Sequence, residues 1–167
     1  MTTITNMTLT GSLSLSQTAG IIGTTTNNNA DAGSIGELIS SIILIGSKVS
    51  LVTATAKNIT SITLTSGDWD VWGSIWTAPD GGTITTKIEG SINSTTDTLA
   101  TTPAVGTSYS SQTGFISAAA EAIVLGIPET RVLVPTSSTT TIYLVASVTF
   151  SVSTLSGYGN IYARRRR

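Results

Sequence analysis

Between Thr139 and Phe150 the chain alternates apolar and polar residues. Ile142, Leu144, Ala146, Val148 and Phe150 fall on one side of an extended strand, Tyr143, Ser147 and Thr149 on the other, and Val145 is the one exception. A period of two places successive side chains on opposite faces and cannot arise from a helix, whose period is 3.6. The stretch is therefore a strand with one face turned to a core. The same pattern returns along the chain. Val49 and Leu51 alternate with Ser50 and Val52 inside a strand expected over Lys48–Thr55. Ile62 and Leu64 alternate with Thr63 and Thr65 inside another over Asn58–Ser66. Trp69, Val71, Gly73 and Ile75 then alternate with Asp70, Trp72, Ser74 and Trp76. Pro79-Asp80-Gly81-Gly82 is the strongest hairpin signal, and Ile84, Ile88 and Ile92 share a face beyond it. Arg131–Val134 and Gly157–Tyr162 read as further strands, while Ser117–Val124 admits a short helix, a loop or an irregular strand. Roughly eight short strands separated by turn signals predict an all-β, antiparallel sandwich of jelly-roll type.

The first 30 residues read as a separate arm for attachment, and residues 31–167 as the sandwich body. Leu9, Gly11, Leu13 and Leu15 alternate with Thr8, Thr10, Ser12 and Ser14, so the arm is expected to hold a strand. Gly20-Ile21-Ile22-Gly23 and the polar run Thr24–Asn29 follow as a linker that cannot bury much surface. Met1–Thr5 lacks the basic start and apolar segment of a signal peptide. The most apolar stretch, Leu38–Ile45, is far shorter than the roughly 20 residues that span a bilayer.

Charge is scarce, and that bears on partners. Only 10% of residues are charged, against about 25% in ordinary domains. Thr and Ser, about a third of the chain, fill the gap and suit pleated surfaces. With 40% hydrophobic residues and a net charge of -1, the composition is not that of a disordered chain. So few charges protect a monomer poorly against association, and we expect much of the surface to be covered by subunits. The last four residues are all Arg, leaving four basic residues against nine acidic ones elsewhere. Arg164–Arg167 could grip nucleic acid or an acidic surface. The reading adopted is the end of a terminal strand that contacts another subunit or the shell of an assembly, with nucleic acid not a partner.

Little here does chemistry. The chain has no Cys and no His, which removes thiol nucleophiles, disulfides, the usual zinc ligands and the commonest general base. Asp68 and Asp70, two apart on a strand, are the best carboxylate pair for acid–base or metal work. Asp68 also lies in the Gly67 turn, where Asp is favoured for backbone hydrogen bonding. Lys48, Lys57 and Lys87 sit in no nucleophile motif, and Gly20/Gly23 and Gly33/Gly36 form no phosphate cradle. Asn6, Asn58 and Asn93 match the glycosylation acceptor pattern by chance in a chain rich in Asn and Thr. Trp69, Trp72, Trp76, Tyr143, Tyr158 and Tyr162 could form a sugar-stacking platform or pack core and subunit contacts. Trp72 and Trp76 face away from Trp69, so a loop or a neighbouring subunit must cover the outer face, and we read the cover as a subunit. No catalytic, cofactor-binding or metal-ligating residue is assigned.

Ser61-Ile62-Thr63-Leu64-Thr65-Ser66-Gly67-Asp68-Trp69-Asp70-Val71-Trp72-Gly73 resembles a recurring segment of small structural proteins of tailed bacteriophages. So do Thr140–Ala146 and Tyr158-Gly159-Asn160-Ile161-Tyr162-Ala163-Arg164-Arg165. The resemblance covers the chain from about Gly33 onward, and its distinctive parts are the Gly67-Asp68-Trp69 step and the Ala163-Arg164-Arg165 ending. The first segment is also similar to the strand in which tumour-necrosis-factor-like trimers set a Gly and an aromatic before a core strand. Together these resemblances imply a non-enzymatic virion protein with a trimeric jelly-roll body and no cofactor. One expected role is a decoration or cement protein, or head fibre, on the outer capsid, partnered by the major capsid protein or another virion protein and by no membrane. The other is the tip of a tail fibre or spike that binds a host receptor or glycan. The length favours the first, since a fibre usually carries a long repetitive shaft.

Overall fold

The computed structural model describes residues 28–118 and 122–167. The expected leader strand over Thr8–Leu15, the Gly20/Gly23 pair, Asn6 and the middle of Ser117–Val124 lie outside them. The described residues form seven strands and one short 3-10 turn: β1 (Leu38–Ile43), β2 (Val49–Leu51), β3 (Lys57–Pro79), β4 (Ile84–Asn93), β5 (Ser108–Ala118), β6 (Val124–Ser151) and β7 (Leu155–Arg165), with the turn at Ile45–Ser47. All pairings are antiparallel, in the order β1-β7-β3-β6-β4-β5, with β2 beside β7.

Two of these strands are long enough to belong to both layers of a sandwich. β3 pairs with β6 from Lys57 to Trp76, but only from Trp69 onward does it also pair with β7. β6 pairs with β4 only from Tyr143 onward. The first sheet is thus β1-β7, the second half of β3 and the first half of β6. The second is the first half of β3, the second half of β6, β4 and β5. With the halves counted separately, and β2 set aside, eight segments stand in the orders 1-8-3-6 and 2-7-4-5, the jelly-roll arrangement. The expected strands 58–66 and 69–76 are one strand, as are 131–134 and 139–150, because each runs through a corner instead of stopping there.

The corner follows from sequence. Register shifts between Thr65 and Gly67 of β3, which face Thr139 and Val134, so β6 carries Pro135–Ser138 as an unpaired excursion. On β3 the same gap holds the single residue Ser66, and an odd insertion flips the faces of a strand. Inward residues accordingly change from Ile62 and Leu64 to Trp69, Val71 and Ile75. Ile142, Leu144, Ala146 and Val148 are buried and Phe150 packs against the core, as the alternation predicts. A fully buried Leu or Ile contributes roughly 1.5–3 kcal/mol, and truncating Leu144 to Ala would cost about 2–5 kcal/mol. The sheets meet closely at Gly90 of β4, where a Cβ would come within 2.5 Å of Ile127 Cδ1 and 2.6 Å of Ile75 Cδ1.

Three expectations change. Pro79–Gly82 does turn, with Thr83 N–H donating to Asp80 O at 3.1 Å, but β3 and β4 do not pair. The turn is an arch from one sheet to the other, because the end of β3 is already flanked by β7 and β6. The expected strand 48–55 shrinks to β2. Asn29, read as linker, is fixed to the body: its side chain donates to Leu38 O and accepts from Leu38 N–H, both at 2.8 Å.

Candidate functional site

The Gly67-Asp68-Trp69 step and the Arg-rich ending come together in one cluster at the corner of the sandwich. Arg165 pairs in register with Trp69 and is only 5% exposed. Its guanidinium lies 4.2 Å over the indole of Trp69, a cation–π contact. Nε donates to Glu37 Oε2 at 2.9 Å, Nη1 to Ser66 O at 2.7 Å and Nη2 to Thr65 Oγ1 at 2.6 Å. The indole N–H donates to Thr65 O at 3.0 Å, so the corner strand is held from both sides. Gly67 has φ +142°, and a Cβ there would overlap Arg165 Nη1, so only glycine admits this side chain. Burial opposes ionisation of Glu37, yet the Gly33 amide and the Arg165 guanidinium together hold its carboxyl below the ordinary range.

Asp68 and Asp70, the carboxylate pair singled out in the sequence, are each held by arginines. Arg131 donates to both oxygens of Asp68, at 2.8 and 2.6 Å, and Arg167 lies 3.1 Å from the same carboxylate. The Arg131 hydrogen bonds hold the Asp68 carboxyl below its ordinary value against the effect of burial, with the charges of Arg131, Arg167 and Arg166 adding. Asp70 pairs with Arg166 at 3.3 Å. Both carboxylates are therefore engaged as structural counter-ions. Three of the four terminal arginines find carboxylates within their own chain, and Arg164 remains exposed. A second polar group stands on the other sheet, where Tyr109 O–H donates to Glu89 at 2.6 Å and Lys87 lies 2.8 Å from the same carboxylate. No cluster of three metal-ligating side chains occurs among the described residues.

The aromatic residues divide between inside and outside. Trp69 is wholly buried, whereas Trp72, Trp76, Tyr158 and Tyr162 are half-buried on the outer face of the first sheet. Cross-strand register sets Trp72 beside Tyr162 and Trp76 beside Tyr158, and the rings stack at 5.7 and 6.0 Å. Between them Ser74 Oγ donates to Asn160 Oδ1 at 3.0 Å. Ile42 and Leu44 border the second pair, and a shallow cleft of about 160 Å³ opens between them, Trp76 and Tyr158. The strand segments beneath this face, Leu38–Ser47, Val71–Pro79, Ile123–Pro128 and Leu155–Ala163, hold no charged residue. It is the best candidate for recognition.

The outward Val145 behaves otherwise. It is fully buried, and the cover comes from its own chain. Its register partners are Asn58 on one side and Ser91 on the other. Asn58 and Asp97 bond reciprocally at 2.7 and 2.8 Å, and Ala100 N–H donates to Ser91 Oγ at 3.2 Å. The loop through 96–100 thus crosses over Val145. The expectation that a subunit covers the outward apolar residues fails at this position, because a loop lies there already. Sequence reasoning missed this loop and the Arg165 plug, and the one available signal was the Asn/Asp content of Asn93–Asp97.

No helix among the described residues is long and apolar enough to cross a membrane. No family model, curated protein or solved structure matches the chain.

Proposed function

We propose that this chain is a non-enzymatic structural protein of a tailed-phage particle, a trimeric decoration or cement protein, or head fibre, that seats on the outer capsid and stabilises the shell. The observation that carries this reading is the charge-free part of the first sheet's outer face that holds the Trp72–Tyr162 and Trp76–Tyr158 pairs. Subunit contacts are depleted in charge and enriched in Trp and Tyr, as this face is. The charges that could hinder association are taken up internally: six of the eight basic residues are in ion pairs with carboxylates of the same chain. Two of the three phage-like segments also meet at the Gly67, Trp69 and Arg165 corner, so the resemblance rests in part on residues that build the body.

The half-exposed indoles favour a second reading, the receptor- or glycan-binding tip of a tail fibre. Against it, the cleft offers few polar side chains, the indole of Trp76, Tyr158 and Asn160, and Asn160 already accepts from Ser74. Sugars need several hydrogen-bonding groups beside the stacking ring. The test is quantitative mass spectrometry of intact particles. A copy number that follows the capsid lattice is expected, while one that follows the symmetry of the tail would transfer the protein there. A cross-linked mass that is not a multiple of three would refute the trimer.

A further inference from the structure

β1 lies at the end of the first sheet and pairs with no strand but β7 among the described residues. Arg165 N–H donates to Glu37 O, and antiparallel pairs alternate between bonded and non-bonded rungs. Residues 39, 41 and 43 therefore bond to β7, and the backbone groups of Leu38, Ser40 and Ile42 point to the open edge. The side chain of Asn29 satisfies both groups of Leu38. Two rungs, Ser40 and Ile42, are left facing outward.

Beyond the Asn29 contact at Leu38, this edge is little protected against pairing. From Leu38 to Ser47 there is no charge and no Pro, and the register with β7 runs without a bulge. Ile42 and Leu44 are 52% and 70% exposed beside the Trp76–Tyr158 cleft. A strand added here must be uncharged and apolar at alternate positions, and β1 itself meets that description. The charges at its two ends complete the match. Asp31, in the turn before β1, and Lys48, just after it, have no ion-pair partner among the described residues. Two antiparallel copies set each Lys48 toward the other's Asp31 turn, whereas parallel copies would set like beside like.

We propose that a second copy of this chain pairs along the open edge of β1, antiparallel and centred on Ser41, so that Ser40 of each copy exchanges backbone hydrogen bonds with Ile42 of the other. The contact is isologous and joins copies two at a time, whether those copies are single chains or trimers. It does not depend on the capsid reading.

The full chain would be tested by light scattering over a concentration series, together with Ile42→Lys. Ile42 faces solvent on β1, so the variant is expected to keep the wild-type circular dichroism spectrum while the assembly mass falls by half. Ser41→Cys supplies an independent measure. Opposed residues in a non-bonded antiparallel rung have Cα atoms about 4.5 Å apart, within disulfide reach. Mild oxidation should convert most of this variant to covalent pairs, and Ser50→Cys on β2 should give none. An assembly mass unchanged by Ile42→Lys, or a Ser41→Cys variant that stays reduced, overturns the proposal. Amides of Ser40 and Ile42 that resist exchange in a monomeric chain would overturn it too, by assigning the edge to the residues before Asn28.

Discussion

The two outer faces of this sandwich carry similar signals in sequence and have opposite fates. On the second sheet the outward Val145 is sealed by residues 96–100, through the reciprocal Asn58–Asp97 pair and the Ala100–Ser91 bond. On the first sheet the outward Trp72, Trp76, Tyr158 and Tyr162 stack in pairs and stay half-exposed. The difference lies in the connections. β4 and β5 are joined by a loop long enough to fold back across its sheet, while β3 and β6 leave the first sheet through an arch and a corner. An apolar residue on the outer face of a sheet therefore does not by itself announce a partner, and a partner is called for only where no loop can return.

The strongest test of that contrast removes the plug at the first sheet's end. Arg165→Met takes away the partner of Glu37 and leaves a carboxylate buried without its cation, which typically costs about 3–5 kcal/mol. The loss should appear as a drop in unfolding free energy by denaturant titration, with Arg165→Met/Glu37→Gln recovering part of it. If the sheets are independently secured, exchange should rise first at the β1–β7 and β3–β7 amides and last at β4. Gly67→Ala should act at the same place, since its Cβ would overlap Arg165 Nη1 at a backbone angle unfavourable to L residues. A strained residue of this kind costs about 1–3 kcal/mol before the displaced guanidinium is counted.

Acid should loosen the same corner. The carboxyls of Glu37 and Asp68 are held below their ordinary values in the folded state. Their contribution is then fully present above the unfolded-state values, near about pH 4, and is lost as pH falls through the lower folded-state values. Glu89 on the second sheet is also lowered: burial opposes its ionisation, and Lys87 and Tyr109 outweigh that. Unfolding free energy measured from neutral pH downward should stay level until the ordinary carboxylate range and then decline. A decline starting near pH 6 would mean that another group controls the corner.

Much of this fold was legible in the sequence because most of its strands are half-buried, and a period of two survives wherever one face meets a core. The inward set Ile142, Leu144, Ala146 and Val148 could be read directly, as could Trp69 inward against Trp72 and Trp76 outward. The corners could not. A residue inserted at Thr65–Gly67 inverts the faces without ending the strand, and local pattern does not distinguish that from a turn between two strands. Pro79–Gly82 has the composition of a hairpin, but pairing is decided by which neighbours the end of β3 already has. The role of Arg165 was also hidden. Four arginines in a row look like a solvated tail, and only the register of β7 against β3 shows that the second of them points inward at Trp69 while Arg164 points out.

Smaller changes separate the two faces themselves. Asp97→Ala removes the carboxylate that accepts from Asn58 N–H and pairs with Lys57, while the backbone N–H at 97 can still donate to Asn58 Oδ1, a loss of about 1–3 kcal/mol when Asn58 N–H is not resatisfied. It should raise exchange at Ser91 and Val145 and turn a covered face into an open one. Trp72→Ser should do the least to the monomer. The stacked pair with Tyr162 is worth about 0.5–1.5 kcal/mol beyond its buried area, and the indole is already partly in water. If the first sheet's face exists for recognition, this nearly silent change to the monomer should be the one that abolishes incorporation into particles. Asp97→Ala, although more destabilising, should still assemble at permissive temperature. The reverse ranking would mean that assembly depends on the loop-covered sheet, and that the aromatic rows serve only to brace β3 against β7.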